Sequence, residues 1–185
     1  EIENASVIVD LGAHIGVFSM YCANYAKKPK IIAVEANPSN YELLRENIDI
    51  NKYNNMIVPY NCAVSGENGE QSLYYDSSSV GHSLIFKSSQ SINVKTMTLE
   101  HIINNENLVN IDIIKIDIEG SEYALFDKLD KNILCNIKII YLEGHDIDEN
   151  NNTDRLSRFL KSNNFNVLTK KGHIKALNNK FINMR

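Results

Sequence analysis

The chain has 185 residues, 43% of them hydrophobic, enough for one domain with a substantial core and too few to require a second. A formal charge of -4 and a pI near 5.7 leave no basic field for capturing nucleic acid or an anionic membrane. The longest apolar runs, such as 137–142, are strand-length and far short of a membrane span.

Cys22, Cys62 and Cys135 are odd in number, widely spaced and without a C-x-x-C pair. They read as packing residues in a reducing, cytoplasmic compartment. No signal peptide is visible, and the sequence begins on Glu1 with a strand pattern only a few residues later. This fits a single domain with an N-terminal segment lying outside the sequence. Asn4 and Asn151 head Asn-x-Ser/Thr triplets, which an asparagine-rich chain produces by chance.

The stretch VIVDLGAHIGVF predicts a β-branched strand over 6–10, a glycine turn, and a helix over 15–26. Gly12 can take backbone angles closed to other residues, and Gly16 lets the first helical turn approach the sheet or a bound nucleotide. Lys27-Lys28-Pro29 breaks the helix, and a second strand over 31–34 ends on Glu35. That is the acidic position which a strand-turn-helix-strand nucleotide site places on ribose hydroxyls. Ala13-His14-Ile15 separates the two glycines and Asp10 precedes them, so the pattern is not G-x-G-x-x-G. An acidic neighbour repels a pyrophosphate but favours a cofactor carrying an ammonium or sulfonium group. The pattern therefore points to S-adenosylmethionine and away from NAD.

Pro38-Ser39-Asn40-Tyr41-Glu42 reads as a capping box, with Ser39 the N-cap and Glu42 reaching back. The helix it opens is expected to bury Tyr41, Leu44 and Ile48. A third strand is predicted over 56–60, then a turn at 66–69 and a short strand over 71–76. The polar stretches 77–83 and 88–91 are too poor in apolar residues to pack tightly. They read either as a surface loop or as a mobile lid over a site. A strand over 92–97 and a short helix over 98–103 follow.

The segment IDIIKIDIEGSE is the second strong signal. Its centre is a buried strand ending at Asp117, Gly120 makes a turn, and Ser121-Glu122 begins a helix that buries Leu125, Phe126 and Leu129. A strand over 136–142 ends on Glu143-Gly144-His145-Asp146, and a helix over 153–163 turns Leu156, Phe159 and Leu160 inward. Strands over 165–169 and 174–182, joined at Lys171-Gly172, close the chain as a hairpin.

Five strands separated by helices, then a hairpin, predict an α/β fold with an open twisted sheet, mostly parallel, with one antiparallel strand near an edge. Ligands of such sheets gather outside the carboxyl ends of the strands. Asp10, Glu35, Asn61, Asp117 and Glu143 all fall on that rim.

Four stretches resemble the FkbM-type family of S-adenosylmethionine-dependent methyltransferases: VIVDLGAHIGVFS, IIAVEANPSNYELLRENI, NCAVSGENG, and TMTLEHIINNENLVNIDIIKIDIEGSEYALF. They cover most of residues 6–128 in the family's order, IKIDIEGSE being the most specific, and His14 stands where the family more often carries Asn. The resemblance implies a class I methyltransferase (Rossmann-like) fold and methyl transfer to an oxygen acceptor, often a hydroxyl of a sugar or a secondary metabolite. It implies that Asp10, Gly12, Ala13, His14 and Gly16 surround the methionine part of the cofactor and that Glu35 meets both ribose hydroxyls. Asn37, Asn61, Cys62 and Ala63 would lie near the adenine, with Ala36 also among the cofactor-binding residues, and Asp117 would face the methyl-bearing end.

A sulfonium methyl group is already activated, so such an enzyme must align nucleophile, carbon and sulfur and exclude water. A sugar hydroxyl has a high pKa, and a general base or a metal helps its proton leave. Asp117 and His145 are the preferred bases, with Glu119 and His82 behind them. Each has a plainer reading: Asp117 as a strand-end carboxylate capping the next helix, Glu119 as a partner of Lys115, His145 as a solvated turn residue. His101 and His173 read as surface or packing residues. Asp117, Glu143 and Asp146 could offer oxygen ligands to Mg²⁺, but the resemblance does not require it and no metal is assigned. The run 146–150 is not a calcium loop, because Asn151 replaces the needed glycine and Ser157 the closing glutamate.

The expected partner is a small-molecule or glycan acceptor. Rival readings are an RNA or protein methyltransferase on the same fold, a non-catalytic cofactor-binding scaffold, and an NAD-dependent oxidoreductase, which the spacing after Gly12 disfavours.

Overall fold

The computed structural model describes residues 1–75 and 82–182, with all their side chains except those of Tyr75 and His82. The greater part of the predicted lid, 77–81, and the imidazole of His82 lie outside the described residues. The first half of the chain forms β1 (Val7–Leu11), α1 (Val17–Tyr25), β2 (Lys30–Glu35), α2 (Pro38–Asn51), β3 (Ile57–Asn61), β4 (Ala63–Val64) and β5 (Gly69–Tyr75). Then come β6 (His82–Ser83), β7 (Ser91–Met97), α3 (Leu99–Asn105), β8 (Ile111–Ile116), α4 (Glu122–Lys128) and α5 (Lys131–Leu134). The chain ends with β9 (Ile137–Glu143), α6 (Thr153–Ser162), β10 (Phe165–Lys170), β11 (His173–Asn178) and α7 (Asn179–Ile182).

Seven strands make one sheet in the order β10-β11-β9-β8-β1-β2-β3. The contacts among β9, β8, β1, β2 and β3 are all parallel, and β11 runs antiparallel to both β9 and β10. This is the expected sheet, with its single reversed strand next to an edge. Its central strands are near-continuous apolar runs because helices cover both faces. The pleat sends Ile8, Ile31, Ala33 and Ile113 to one side, where Leu44 and Ile48 of α2 meet them. Val9, Leu11, Ile114, Ile116 and Ile140 go to the other, against Ile102, Leu125, Phe126, Leu156 and Leu160. Full burial of one such side chain contributes about 1.5–3 kcal/mol.

A second sheet, β4-β7-β5-β6, stands apart from the first. The sequence pattern marks β5 and β7 as strands, but alternation does not say which sheet a strand joins. The transfer occurs at Cys62, the one residue between β3 and β4. The four-residue α5, N-capped by Asp130, is too short to show a period. The last strand stops at Asn178, earlier than expected, because the Asn178 side-chain amide donates to the Ile137 carbonyl at 2.9 Å and α7 follows.

Two local expectations are corrected. The N-cap of α2 is Asn37 and not Ser39: the Asn37 Oδ1 accepts from the backbone N–H of Ser39 (2.8 Å) and Asn40 (3.2 Å), with Pro38 in the first helical turn. Glu42 is exposed and lies 3.8 Å from Arg45, so no capping box forms. Cys22 and Cys62 are buried as expected, but Cys135 is exposed.

Candidate active site

The carboxyl ends of β1, β2 and β8 open on a cleft of about 300 Å³. Gly12 begins the turn that shapes it, at φ +77°, and a Cβ there would stand 1.8 Å from the Asp117 carbonyl oxygen. Only glycine lets the turn pass the end of β8 this closely. Gly16, at φ +92°, opens α1, where a Cβ would strike Leu44 of α2 at 2.5 Å.

Glu35 joins the turns that follow β1 and β2. One carboxylate oxygen accepts from the His14 N–H (2.8 Å) and the other from the Asn37 N–H (2.9 Å), while its residue is only 7% exposed. Each oxygen keeps lone-pair capacity for a ligand, and the side chain lines the cleft. His14 lines it too, from a left-handed backbone conformation at φ +52°. The Gly12 and Ala13 N–H groups donate to the Val34 carbonyl, fastening the turn to β2. Cys62, Ala63, Val64, Leu73 and Leu84 make an apolar wall, and Ala36 lies beside it. Burial pushes the Cys62 thiol up to about 12, so it is a neutral wall residue.

Four of the expected cofactor residues besides Asp10 do not line this cleft: Ala13, Gly16, Asn37 and Asn61. Ala13 lines a neighbouring groove with Phe18, Tyr21 and Lys115, and Gly16 opens α1. Asn37 caps α2, and the Asn61 amide donates to the Glu35 carbonyl (3.0 Å) and the Ala36 carbonyl (3.3 Å), bracing the end of β2.

Asp10 is fully buried behind the turn. The Ser19 hydroxyl donates to it at 2.7 Å, and the Lys115 ammonium lies 3.4 Å away. Burial pushes the Asp10 carboxyl up, while Lys115 and Ser19 pull it back. Lys115 also stands 3.4 Å from Asp117 and donates to the Gly12 carbonyl at 3.0 Å. The expected pair of Lys115 with Glu119 is thus replaced by pairs with Asp10 and Asp117. Motif reading missed this residue, although the signal was there: Lys115 is the one cation in the buried strand IDIIKI.

Beyond Asp117 the chain turns through Glu119, another non-glycine residue with positive φ (+52°), and Gly120 at φ +99°. The Ser83 hydroxyl donates to the Glu119 carbonyl at 2.5 Å and accepts from the N–H groups of Ile85 and Phe86. Residues 83–86 are therefore fastened over this turn, with Phe86 lying where a Cβ on Gly120 would meet it at 3.3 Å.

His145 completes the group. Its Nδ1 lies 2.9 Å from the fully buried Glu122 carboxylate and its Nε2 lies 3.4 Å from Glu119. The Tyr123 hydroxyl donates to the His145 carbonyl at 2.9 Å. The bond to Glu122 outweighs burial and raises the imidazole to about 9. His145 is consequently a cation near neutrality and must lose a proton before it can act as a base. The Glu119 carboxyl is pushed up by its own burial, with His145 opposing.

Asp117 faces two ways. It lines the cleft and also a neighbouring groove of about 440 Å³ bordered by Phe18, Tyr141, Leu168 and Ile174. The oxygen set Asp117, Glu143 and Asp146 is not assembled, because the Asp146 carboxylate accepts from the Thr153 N–H (2.7 Å) and hydroxyl (2.8 Å). Asp117, Glu119 and His145 gather instead, each offering an atom within 4.8 Å of the others. His101 and His173 are exposed.

A parallel sheet of this order, with one reversed strand beside its edge and a glycine turn after β1, defines the class I methyltransferase fold. The methyltransferase FkbM domain profile matches residues 10–167, and the chain belongs to that family. It is 24% identical over 156 residues to methyltransferase sdnD of Sordaria araneosa, covering 67% of this chain and 60% of that protein. A stretch of 51 residues is 47% identical to the tRNA(Phe) (4-demethylwyosine(37)-C(7)) aminocarboxypropyltransferase of Methanocaldococcus jannaschii, covering 28% of this chain and 20% of that one. The fold is similar to the crystal structure of methyltransferase FkbM from Methylobacillus flagellatus KT, with TM-score 0.63 and 14% identity over 94% of this chain and 44% of that one. The chain spans 60% or less of each of these relatives.

Proposed function

We propose that the chain is the catalytic domain of an S-adenosylmethionine-dependent methyltransferase acting on a hydroxyl of a small molecule or glycan. One observation carries this: among the described residues the cleft holds Glu35, Asp117 and Glu119 but neither lysine nor arginine. Such a lining suits a sulfonium ligand with ribose hydroxyls and disfavours a pyrophosphate. Glu35 would hold the ribose, the apolar wall from Cys62 to Val64 the adenine, and Gly12, His14 and Asp117 the amino-acid end. When bound, the cofactor supplies an activated methyl group. Transfer forms a C–O bond, breaks the C–S bond with its electron pair left on sulfur, and releases the hydroxyl proton.

This chain's part is to orient and to take that proton. The acceptor enters from the groove beside Phe18 and Tyr141, so that its hydroxyl arrives at Asp117, with Glu119 and His145 adjoining. Among the described residues no helix is long and apolar enough to cross a membrane. A cytoplasmic site of action belongs to the same proposal, supported by the buried free thiols of Cys22 and Cys62.

Calorimetry tests the cofactor: S-adenosylhomocysteine should bind and NAD should not. Labelled methyl transfer to a panel of hydroxyl acceptors tests the reaction. Asp117→Asn should lower turnover about 100-fold or more while changing S-adenosylhomocysteine affinity far less. Unchanged turnover would remove Asp117 from the mechanism.

A further inference from the structure

The group at the acceptor end of the cleft has features that proton transfer alone does not require. Its histidine is oriented from behind. Glu122 is fully buried and receives His145 Nδ1 at 2.9 Å, which leaves Nε2 facing Glu119 and Asp117. A carboxylate holding the far nitrogen of an imidazole is the usual support of a metal-binding histidine, since it fixes ring orientation and tautomer. One measured spacing also fits. The 3.4 Å between His145 Nε2 and Glu119 Oε2 lies within the roughly 3.0–3.4 Å edge expected when two ligands share an ion at about 2.1 Å.

A second observation is independent of the three ligands. Ser121 is 2% exposed and lines the same cleft, and its hydroxyl has no hydrogen-bond partner among the described residues. A buried polar group without a partner among the described residues has a hydrogen bond to offer a ligand. The backbone adds preorganisation, because Glu119 is held at φ +52° by the Ser83 bond to its carbonyl.

We propose that Asp117, Glu119 and His145 bind a divalent first-row cation of the Mn²⁺ or Zn²⁺ type. Two carboxylates and one imidazole, with no thiolate, make a donor set suited to these ions and poor for Cu(I). Three protein ligands leave positions open for water or an acceptor oxygen, and an oxygen bound there loses its proton more easily. This use of the ion rests on the methyltransferase reading; the site itself does not.

The test is titration of Mn²⁺ into chelator-treated protein by calorimetry, without cofactor, alongside S-adenosylhomocysteine binding to the same preparation. One equivalent should bind, with affinity falling at least tenfold in Glu119→Gln and in His145→Ala and unchanged in Asp148→Asn. Should His145→Ala fail to fold, pulsed electron paramagnetic resonance of the wild-type Mn²⁺ complex decides, through nitrogen modulation from a coordinated imidazole. No saturable binding, binding indifferent to the Glu119 and His145 substitutions, or a complex without nitrogen modulation overturns the proposal. If S-adenosylhomocysteine binds and Mn²⁺ does not, the cation alone is refuted. If Mn²⁺ binds and S-adenosylhomocysteine does not, the cation site stands and the methyltransferase reading falls.

Discussion

The Lys115 ammonium lies 3.4 Å from the fully buried carboxylate of Asp10. It joins the glycine turn after β1 to the end of β8, because the same nitrogen reaches Gly12 and Asp117. Lys115→Met should leave Asp10 buried without a counter-charge and cost about 3–5 kcal/mol, read from chemical denaturation. Adding Asp10→Asn should recover part of that loss, and additive effects of the two changes would show that they do not interact.

Glu35 is held on both oxygens by backbone N–H groups, so Glu35→Gln loses one of those acceptors as well as the charge. Affinity for S-adenosylhomocysteine should fall about 10–100-fold, the equivalent of roughly 1.5–3 kcal/mol for hydrogen bonds to a charged group. Calorimetry checks this, and an unchanged affinity would place the ribose elsewhere.

His145 gives a pH signature. Its imidazole is raised from 6.5 to about 9 in the folded chain, chiefly by Glu122. The folded state therefore holds one more proton than the unfolded state between these values. The resulting stabilisation is complete below pH 6.5 and disappears as pH rises through 9, a loss of about 3 kcal/mol at most, because water screens the half-buried pair. Denaturation of chelator-treated protein across this window should show the decline, and NMR titration should place the His145 midpoint near 9. Glu122→Gln should return the midpoint towards 6.5.

Gly12→Ala puts a Cβ 1.8 Å from a backbone oxygen and forces φ +77° on an L side chain. A loss of roughly 4 kcal/mol or more is expected, with cofactor binding abolished. A folded, binding-competent Gly12→Ala protein would contradict the crossing of this turn with the end of β8.

Ser83→Ala removes the bond to the Glu119 carbonyl and the acceptor for two N–H groups. Stability should drop by about 1–3 kcal/mol and protease cleavage near 83–86 should accelerate. Unaltered cleavage would show that the segment is held by its apolar contacts alone.

Much of this molecule was legible in its sequence, and the reasons are physical. VIVDL, KIIAVE and IDIIKI are buried on both faces, so their apolar runs announce parallel strands, and the punctuation at Gly12, Glu35 and Gly120 announces the rim. What stayed hidden depends on contacts distant in sequence. The second sheet is invisible because a strand's alternation carries no address. Asn37 displaced Ser39 as the cap because Pro38 fixes the chain one step earlier than the Ser-x-x-Glu pattern suggested. His145 reads in the sequence as either a base or a solvated turn residue, and only Glu122, packed opposite from the start of α4, makes it a cation. Lys115 stood in plain view, but its partners lie on β1 and beyond the end of its own strand.

The passage through Cys62 links the two sheets mechanically. Asn61 pairs with Glu35 and Ala63 pairs with Thr96, so adjoining links of the backbone belong to different sheets. Stiffness that a ligand lends to the wall from Cys62 to Val64 should travel into β7 and from there into β5. Amide exchange beyond the cleft lining, along Val94 and Gln71, should slow when the cleft is filled, so that the smaller sheet reports occupancy at a distance.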